Sequence, residues 1–238
     1  MKKIYIFAFI FLFSSCFSFA SDYSNFKNAD SGSIKAFTRD IGNIVGGSVL
    51  YSARALGFGG FSVNYKYVYQ IKPEYKDTIF EKNKAFGIKY VQVETGLPYR
   101  IDTYIRAGGK DGFNVIGGGI KYGLKNVTDE NFKPNMILAL NSHMGVYKDF
   151  YVLSYGAQLG LSMRISSHVM PFVSSGIDSV KLKVKSSNDV ALINKSFYQR
   201  IIRSSAGLRF KFNWINMAMA YELYEKRGGF NASLGVRF

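Results

Sequence analysis

Asn141-Ser142-His143 sets an amide, a hydroxyl and an imidazole in a row, the residue types of an ester-cleaving site. The surrounding segment 135–147 alternates apolar and polar residues, so it reads as a strand, in which neighbours point to opposite faces. Asn141 and His143 then share one face and Ser142 takes the other, so the hydroxyl and the imidazole cannot meet. His168 is the one other histidine, and it falls in a turn segment, Ser166-Ser167-His168, far from His143. A hydrolase built from paired Asp and His residues lacks its second histidine. A lone inward His143 reads as a hydrogen-bonded filler. Two histidines and one cysteine give no protein-built zinc site and no disulfide framework. Gly117-Gly118-Gly119 and Gly108-Gly109 precede no helix, so neither reads as a phosphate loop. The sequence therefore predicts no catalysis and no cofactor.

Charge is the remaining chemical lead. Lys plus Arg number 31 against 16 Asp plus Glu, a formal net charge of +15. Lys66, Arg106, Lys121, Arg164, Arg203, Arg209, Lys211 and Arg237 fall on the polar faces of alternating segments. The carboxylates on those faces are fewer: Asp102, Glu222 and Asp178. If the faces line a lumen, that lumen is net basic, and basic rings in pores favour anions. Two readings stay open. One is a narrow anion-preferring pore for small solutes. The other is a filled barrel whose basic groups pair with acids or water, in a structural or surface-interaction role. Size favours the filled barrel, because eight strands leave room only for side chains and water channels are typical at about 16–18 strands. Cations spread along lumenal faces are not an exposed patch, so nucleic acid is not an expected partner.

The elements that must position these residues begin after an export signal. Met1-Lys2-Lys3, the apolar run Ile4 to Phe13 and the small residues of Ser18-Phe19-Ala20 read as a signal peptide over 1–20. The apolar run is too short to span a bilayer, which takes about 20 residues. Phe13-Ser14-Ser15-Cys16 is a poor lipobox, and lipidation at Cys16 is left open. No later segment reaches the length of a membrane-spanning helix.

From residue 58 the pattern has period two. About ten segments alternate: 58–71, 85–97, 100–109, 114–125, 135–147, 150–165, 169–185, 196–212, 215–225 and 229–238. Each is near the ~9–11 residues of a tilted bilayer-crossing strand. In 150–165, Tyr151, Leu153, Tyr155, Ala157, Leu159 and Leu161 oppose Ser154, Gly156, Gln158, Gly160 and Ser162. Two segments are irregular: 85–97 loses its alternation near Val91 and Val93, as at a bulge, and 169–185 changes phase near Gly176. The last segment sets Phe230, Ala232, Leu234, Val236 and Phe238 on one face. Phe230, Leu234, Val236 and the final Phe238 have the form of the assembly signal that outer-membrane barrels present to the barrel-assembly machinery. The apolar faces are rich in Tyr and Phe, as interfacial girdles are. That feature separates a membrane barrel from the alternative, a soluble β-sandwich. The predicted fold is a transmembrane antiparallel β-barrel of about ten strands in the bacterial outer membrane. Its partners would be outer-membrane lipid, including lipopolysaccharide phosphates, and no motif identifies a protein partner. With both termini periplasmic, the polar connections 72–84 and 186–195 lie outside. Connection 126–134 is then longer than a periplasmic turn should be.

Residues 21–57 form a separate element, giving the division 1–20, 21–57 and 58–238. Ile34, Phe37, Ile41, Ile44 and Val45 recur at helical spacing, which predicts an amphipathic helix over 33–50. Ser33 would cap it, and Gly42, Gly46 and Gly47 would kink or break it. Such a helix plugs the lumen, covers the periplasmic mouth or acts as a mere spacer, and an apolar stripe argues against the spacer.

Asp40-Ile41-Gly42, then Gly46-Gly47, then Leu56-Gly57-Phe58-Gly59-Gly60-Phe61-Ser62-Val63 resembles the start of a family of uncharacterised bacterial outer-membrane proteins. Members show Asp-Leu-Gly, then Leu-Gly, then Gly-Phe-Asp and a strand; Ser62 stands where the Asp is frequent. Val93-Glu94-Thr95-Gly96-Leu97-Pro98-Tyr99-Arg100-Ile101-Asp102 is similar to the family's Lys-Gly-Leu-Pro turn, and Leu234-Gly235-Val236-Arg237-Phe238 also fits. The resemblance implies fold and location and no activity.

Overall fold

The computed structural model describes residues 23–225 and 227–238. The signal peptide assigned to 1–20, with Cys16, lies outside the described residues. Ten strands follow one another: β1 (Phe61–Gln70), β2 (Phe86–Gly96), β3 (Ile101–Lys110), β4 (Phe113–Gly123), β5 (Pro134–Val146), β6 (Phe150–Met163), β7 (Val169–Val184), β8 (Ser196–Phe212), β9 (Ile215–Tyr224) and β10 (Arg227–Arg237). Each pairs antiparallel with the next, and β1 pairs with β10, so the sheet is a closed barrel with no free edge along its seam.

Alternation decides which side chains face out. Large apolar residues on the outer face stay uncovered, among them Ile105 at 68% and Met219 at 66% exposure, with Leu140, Tyr155, Ile177 and Met217. A contiguous apolar band of this kind is foreign to a monomer in water. The inner faces carry polar residues over the lower part of the barrel and apolar residues over the upper part.

That inversion explains the two irregular segments. The β1–β2 register runs unbroken from Phe61↔Thr95 to Gln70↔Phe86, so β2 has no bulge. Val91 and Val93 face out, while Ile88 and Tyr90 face in and are buried. β7 likewise keeps one phase through Gly176. Its upper inner face is Val180, Leu182 and Val184, and its upper outer face is Ser179, Lys181 and Lys183. The inner face turns apolar there because it packs on a helix rather than on water.

That helix is α1 (Ser31–Gly46), and it lies inside the barrel against β1, β2 and β5 to β8. Its stripe, Ile34, Phe37, Ile41, Ile44 and Val45, is fully buried. The cap is Asp30, not Ser33: the Asp30 carboxylate accepts the Ser33 N–H at 2.8 Å. Ser33 instead exchanges a hydroxyl bond of 2.7 Å with Thr78. The helix also passes Gly42 unbroken and ends at Gly46. A Cβ at Gly42 would stand 2.7 Å from Val180 and 2.8 Å from Ile201, so glycine here permits close approach to the wall. Gly42→Leu is therefore expected to lower the unfolding midpoint through an overpacking cost of about 1–3 kcal/mol, read by heat-dependent gel mobility. An unchanged midpoint would mean that the helix–wall contact is loose.

The inner segment runs from one mouth to the other. Tyr23 packs on Phe80, Phe113, Tyr147 and Phe150, at the end that carries the β1–β2, β3–β4 and β5–β6 connections. Phe61 and Phe238 exchange backbone hydrogen bonds of 3.1 and 2.8 Å at the opposite end. The two ends of the described chain thus occupy opposite mouths, in place of the shared side that the loop-length argument assumed. The long connection 126–134 sits at the Phe238 end and is held there. Asp129 forks onto Arg54 with two bonds of 2.6 Å and offers its carbonyl to Arg164 at 2.8 Å.

Candidate functional site

The last carbonyls of an α-helix lack partners within it and carry the negative end of its dipole. In α1 these groups point into the polar half of the lumen. Arg203 donates to the Asn43 carbonyl at 3.3 Å and the Tyr90 hydroxyl to that of Ile44 at 3.0 Å. Arg106 donates to the Val45 carbonyl and, at 2.7 Å, to that of Gly47. Lys66 reaches the Ser48 carbonyl at 2.7 Å and Val49 at 3.4 Å. Further down, Arg209 donates to the Ser52 hydroxyl at 3.2 Å and to Asn216. Asp102 accepts the Leu56 N–H at 2.8 Å, and Arg237 holds the carbonyls of Ala55 and Leu56 at 3.1 and 3.2 Å. Wall side chains thus bind the inner segment step by step from residue 43 to residue 56.

Carboxylates close the arrangement. Lys121 pairs with Glu94 at 2.8 Å, and the Tyr51 ring stands between Lys66, Lys121 and Arg209, with each cation 4.6 to 5.7 Å from its centroid. Arg203 binds Asp178 through Nε at 2.6 Å and Glu222 at 3.1 Å. All four members of these ion pairs' acid and arginine core, Arg203, Asp178, Glu222 and Glu94, are buried. A cavity of about 10 Å³, room for about one water, remains among Tyr51, Ser52, Glu94, Asp102 and Lys121.

Of the eight basic candidates, Lys66, Arg106, Arg203, Arg209 and Arg237 bind the inner segment, and Lys121 binds Glu94. The other two stand at the rim of the mouth. Lys211 is exposed at the end of β8, and Arg164 lies beyond β6 at the rim, bonded to the carbonyls of Ser166 and Asp129. Both are too close to strand ends for alternation to bury them. Glu94 escaped the sequence reading because the inner face of β2 is apolar above it; Gln92 and Glu94, two apart on the face of Tyr90, were the available signal. The Asn141-Ser142-His143 string is divided as alternation requires: Asn141 and His143 are buried and Ser142 is exposed. His143 Nε2 lies 3.3 Å from the Tyr104 hydroxyl.

A second polar cluster fastens the loop 72–84 over the upper end of α1. Asp40 accepts Gln70 Nε2 at 2.8 Å and the Glu74 N–H at 2.5 Å, with Arg227 at 3.7 Å. Asp77 in the loop accepts the N–H groups of Ile79 and Phe80 at 2.8 and 3.2 Å. Burial first, and then the neighbouring Asp40 charge, push the Asp77 carboxyl up to about 8. At the opposite mouth the Arg54 hydrogen bonds hold Asp129 below the usual carboxylate range.

No protein-family model matches the chain, and no curated protein matches it. Solved structures do. Ail, the attachment invasion locus protein of Yersinia pestis, is 16% identical, with 76% of this chain and 99% of that one covered and a TM-score of 0.34. The same figures hold for Ail in complex with the heparin analogue sucrose octasulfate. The CymD monoaromatic hydrocarbon channel is 9% identical, with 76% and 69% covered and a TM-score of 0.33. The chain itself forms a closed ten-stranded antiparallel β-barrel with its N-terminal helix held in the lumen.

Proposed function

We propose that this chain is a bacterial outer-membrane barrel closed by its own N-terminal segment, with a structural or surface-interaction role. The observation that carries the closed-barrel reading is that five of the eight basic candidates are engaged on residues 43–56. Basic residues spent in this way hold a plug and do not offer sites to passing anions. The uncovered apolar band supports membrane insertion. Phe230, Leu234, Val236 and Phe238 would present β10 to the barrel-assembly machinery. Membership of the family that the opening segment resembles belongs to the same proposal. The surface offered outward is the mouth built from Ser24–Asn28, loop 72–84 and loop 186–195. There Asn188 donates to the Lys27 carbonyl at 2.9 Å, and Lys27 pairs with Asp149 at 3.6 Å.

The anion-pore reading keeps one support: without the plug, Lys66, Arg106 and Arg237 would lose the carbonyls that hold them. Planar-bilayer recording separates the two. The intact protein is expected to be silent, and a variant lacking residues 31–56 is expected to give anion-selective steps if it folds as a barrel. Steady anion-selective conductance from the intact protein would overturn the plugged reading.

A further inference from the structure

We propose that the outer wall of the β7–β8 hairpin is a binding site for the phosphate groups of a phosphorylated glycolipid in the outer leaflet. The inference rests on the outer-membrane reading above and names a lipid partner for one place on the barrel. Lys181 and Lys183 on β7 and Arg200 on β8 all take the outward phase of their strands. Register sets Ser179 opposite Arg200 and Lys181 opposite Tyr198, so Lys181 and Arg200 are diagonal neighbours. Lys183 follows two residues above Lys181. Lys181 Nζ stands 5.5 Å over the Tyr198 ring, and none of the three cations forms an ion pair among the described residues. This contrasts with the lumen, where the buried lysines and arginines are engaged.

The surface beneath the cations is apolar. Tyr155, Ala157, Ile177, Ser179 and Arg200 border an open depression on the outer wall, where Ala157 and Ser179 are small. Below it Leu159 and Ile202 are exposed on the same outer wall. The hairpin also stands clear of its neighbour: β8–β9 pairing begins at Arg203↔Tyr224, so residues 196–201 rise beyond β9 and leave Arg200 open on that flank. Along one wall the order is therefore acyl-compatible below, aromatic at the boundary and cationic above. A phosphorylated lipid has the same order, with its chains toward the bilayer centre. An arginine fork with the Lys181 ammonium diagonal to it, and Lys183 two residues further up, matches the charge of a headgroup carrying more than one phosphate. A lateral barrel wall meets lipid rather than dissolved ligand, and this selects a lipid phosphate over a free one.

The test uses the full mature chain refolded into phosphatidylcholine vesicles, with insertion checked by heat-dependent gel mobility. Bisphosphorylated lipid A, its dephosphorylated form, phosphatidylglycerol or inorganic phosphate is then added, and bound lipid is counted by native mass spectrometry. The expected result is retention of bisphosphorylated lipid A and not of the dephosphorylated form. The triple variant Lys181→Ala, Lys183→Ala, Arg200→Ala should weaken that retention at least tenfold. The variant Lys125→Ala, Lys133→Ala, Arg100→Ala, at the other mouth, should leave it unchanged. Equal retention of phosphatidylglycerol, equal effect of inorganic phosphate, or no loss in the β7–β8 variant overturns the site. Failure to insert overturns the membrane reading and the site together, whereas insertion without lipid preference overturns the site alone.

Discussion

Arg203→Met is expected to destabilise the folded barrel by about 3–5 kcal/mol, because removing one member of a buried ionic cluster leaves the others uncompensated. Arg203 binds Asp178 and Glu222 on the neighbouring strands and the Asn43 carbonyl of α1. Its loss leaves Asp178 without a donor among the described residues and Glu222 with only the neutral Tyr224 and Asn231 donors, so two buried charges stay uncompensated. Urea titration of the refolded protein, followed by gel mobility, measures the change. A second variant separates charge from packing: Asp178→Asn with Glu222→Gln, combined with Arg203→Met, should recover a large part of the loss. If Arg203→Met alone shifts stability by less than about 1 kcal/mol, the cluster is hydrated and does not anchor the plug.

The attachment of loop 72–84 is expected to weaken as pH rises. Asp77 has a folded value of about 8, pushed up by burial and then by Asp40, against an ordinary value of 3.8. The docked loop therefore holds a proton that the undocked loop releases. Docking free energy falls from about pH 4 to about pH 8 and levels off above that. The charged groups around this contact are Asp40 and Arg39 on α1, Glu74 in the loop and Arg227 on β10. Amide exchange at Ile79 and Phe80, corrected for intrinsic rates, reads the effect directly, since both amides bond Asp77. Protection should drop at least tenfold between pH 5 and pH 8.5. Asp77→Asn keeps the accepting oxygen and should flatten the profile. A flat wild-type profile, or a steep one in the variant, would show that Asp77 does not control the loop.

The strand layout was legible in the sequence because period two survives wherever one face meets an apolar surroundings and the other meets polar groups. Segment 196–212 appears in the structure with the same bounds, 135–147 shifts by one residue at both ends, and 215–225 by one at its far end. Legibility failed where a third element changed the environment of a face. Ile88 and Tyr90 in β2 and Val180, Leu182 and Val184 in β7 are apolar because α1 covers them, and no single-strand pattern announces that. The lumenal cations were visible as residue types on a face. Their partners were not, since carbonyls of residues 43–56 carry no sequence signal. The Asp30 cap was obscured by Ser31 and Ser33, which offer the same chemistry one and three residues later.

Closing the wall means joining β1 to β10, the first strand made to the last, across most of the chain. Bringing such distant segments together is slow when the chain must find its own ends. The inner segment changes the geometry of that search. It is synthesised before any strand, and it touches early strands, β1 and β2, and late ones, β7 and β8. It therefore gives these early and late strands one common surface to pack on. The seam between β1 and β10 thus joins two edges that the same inner segment supports.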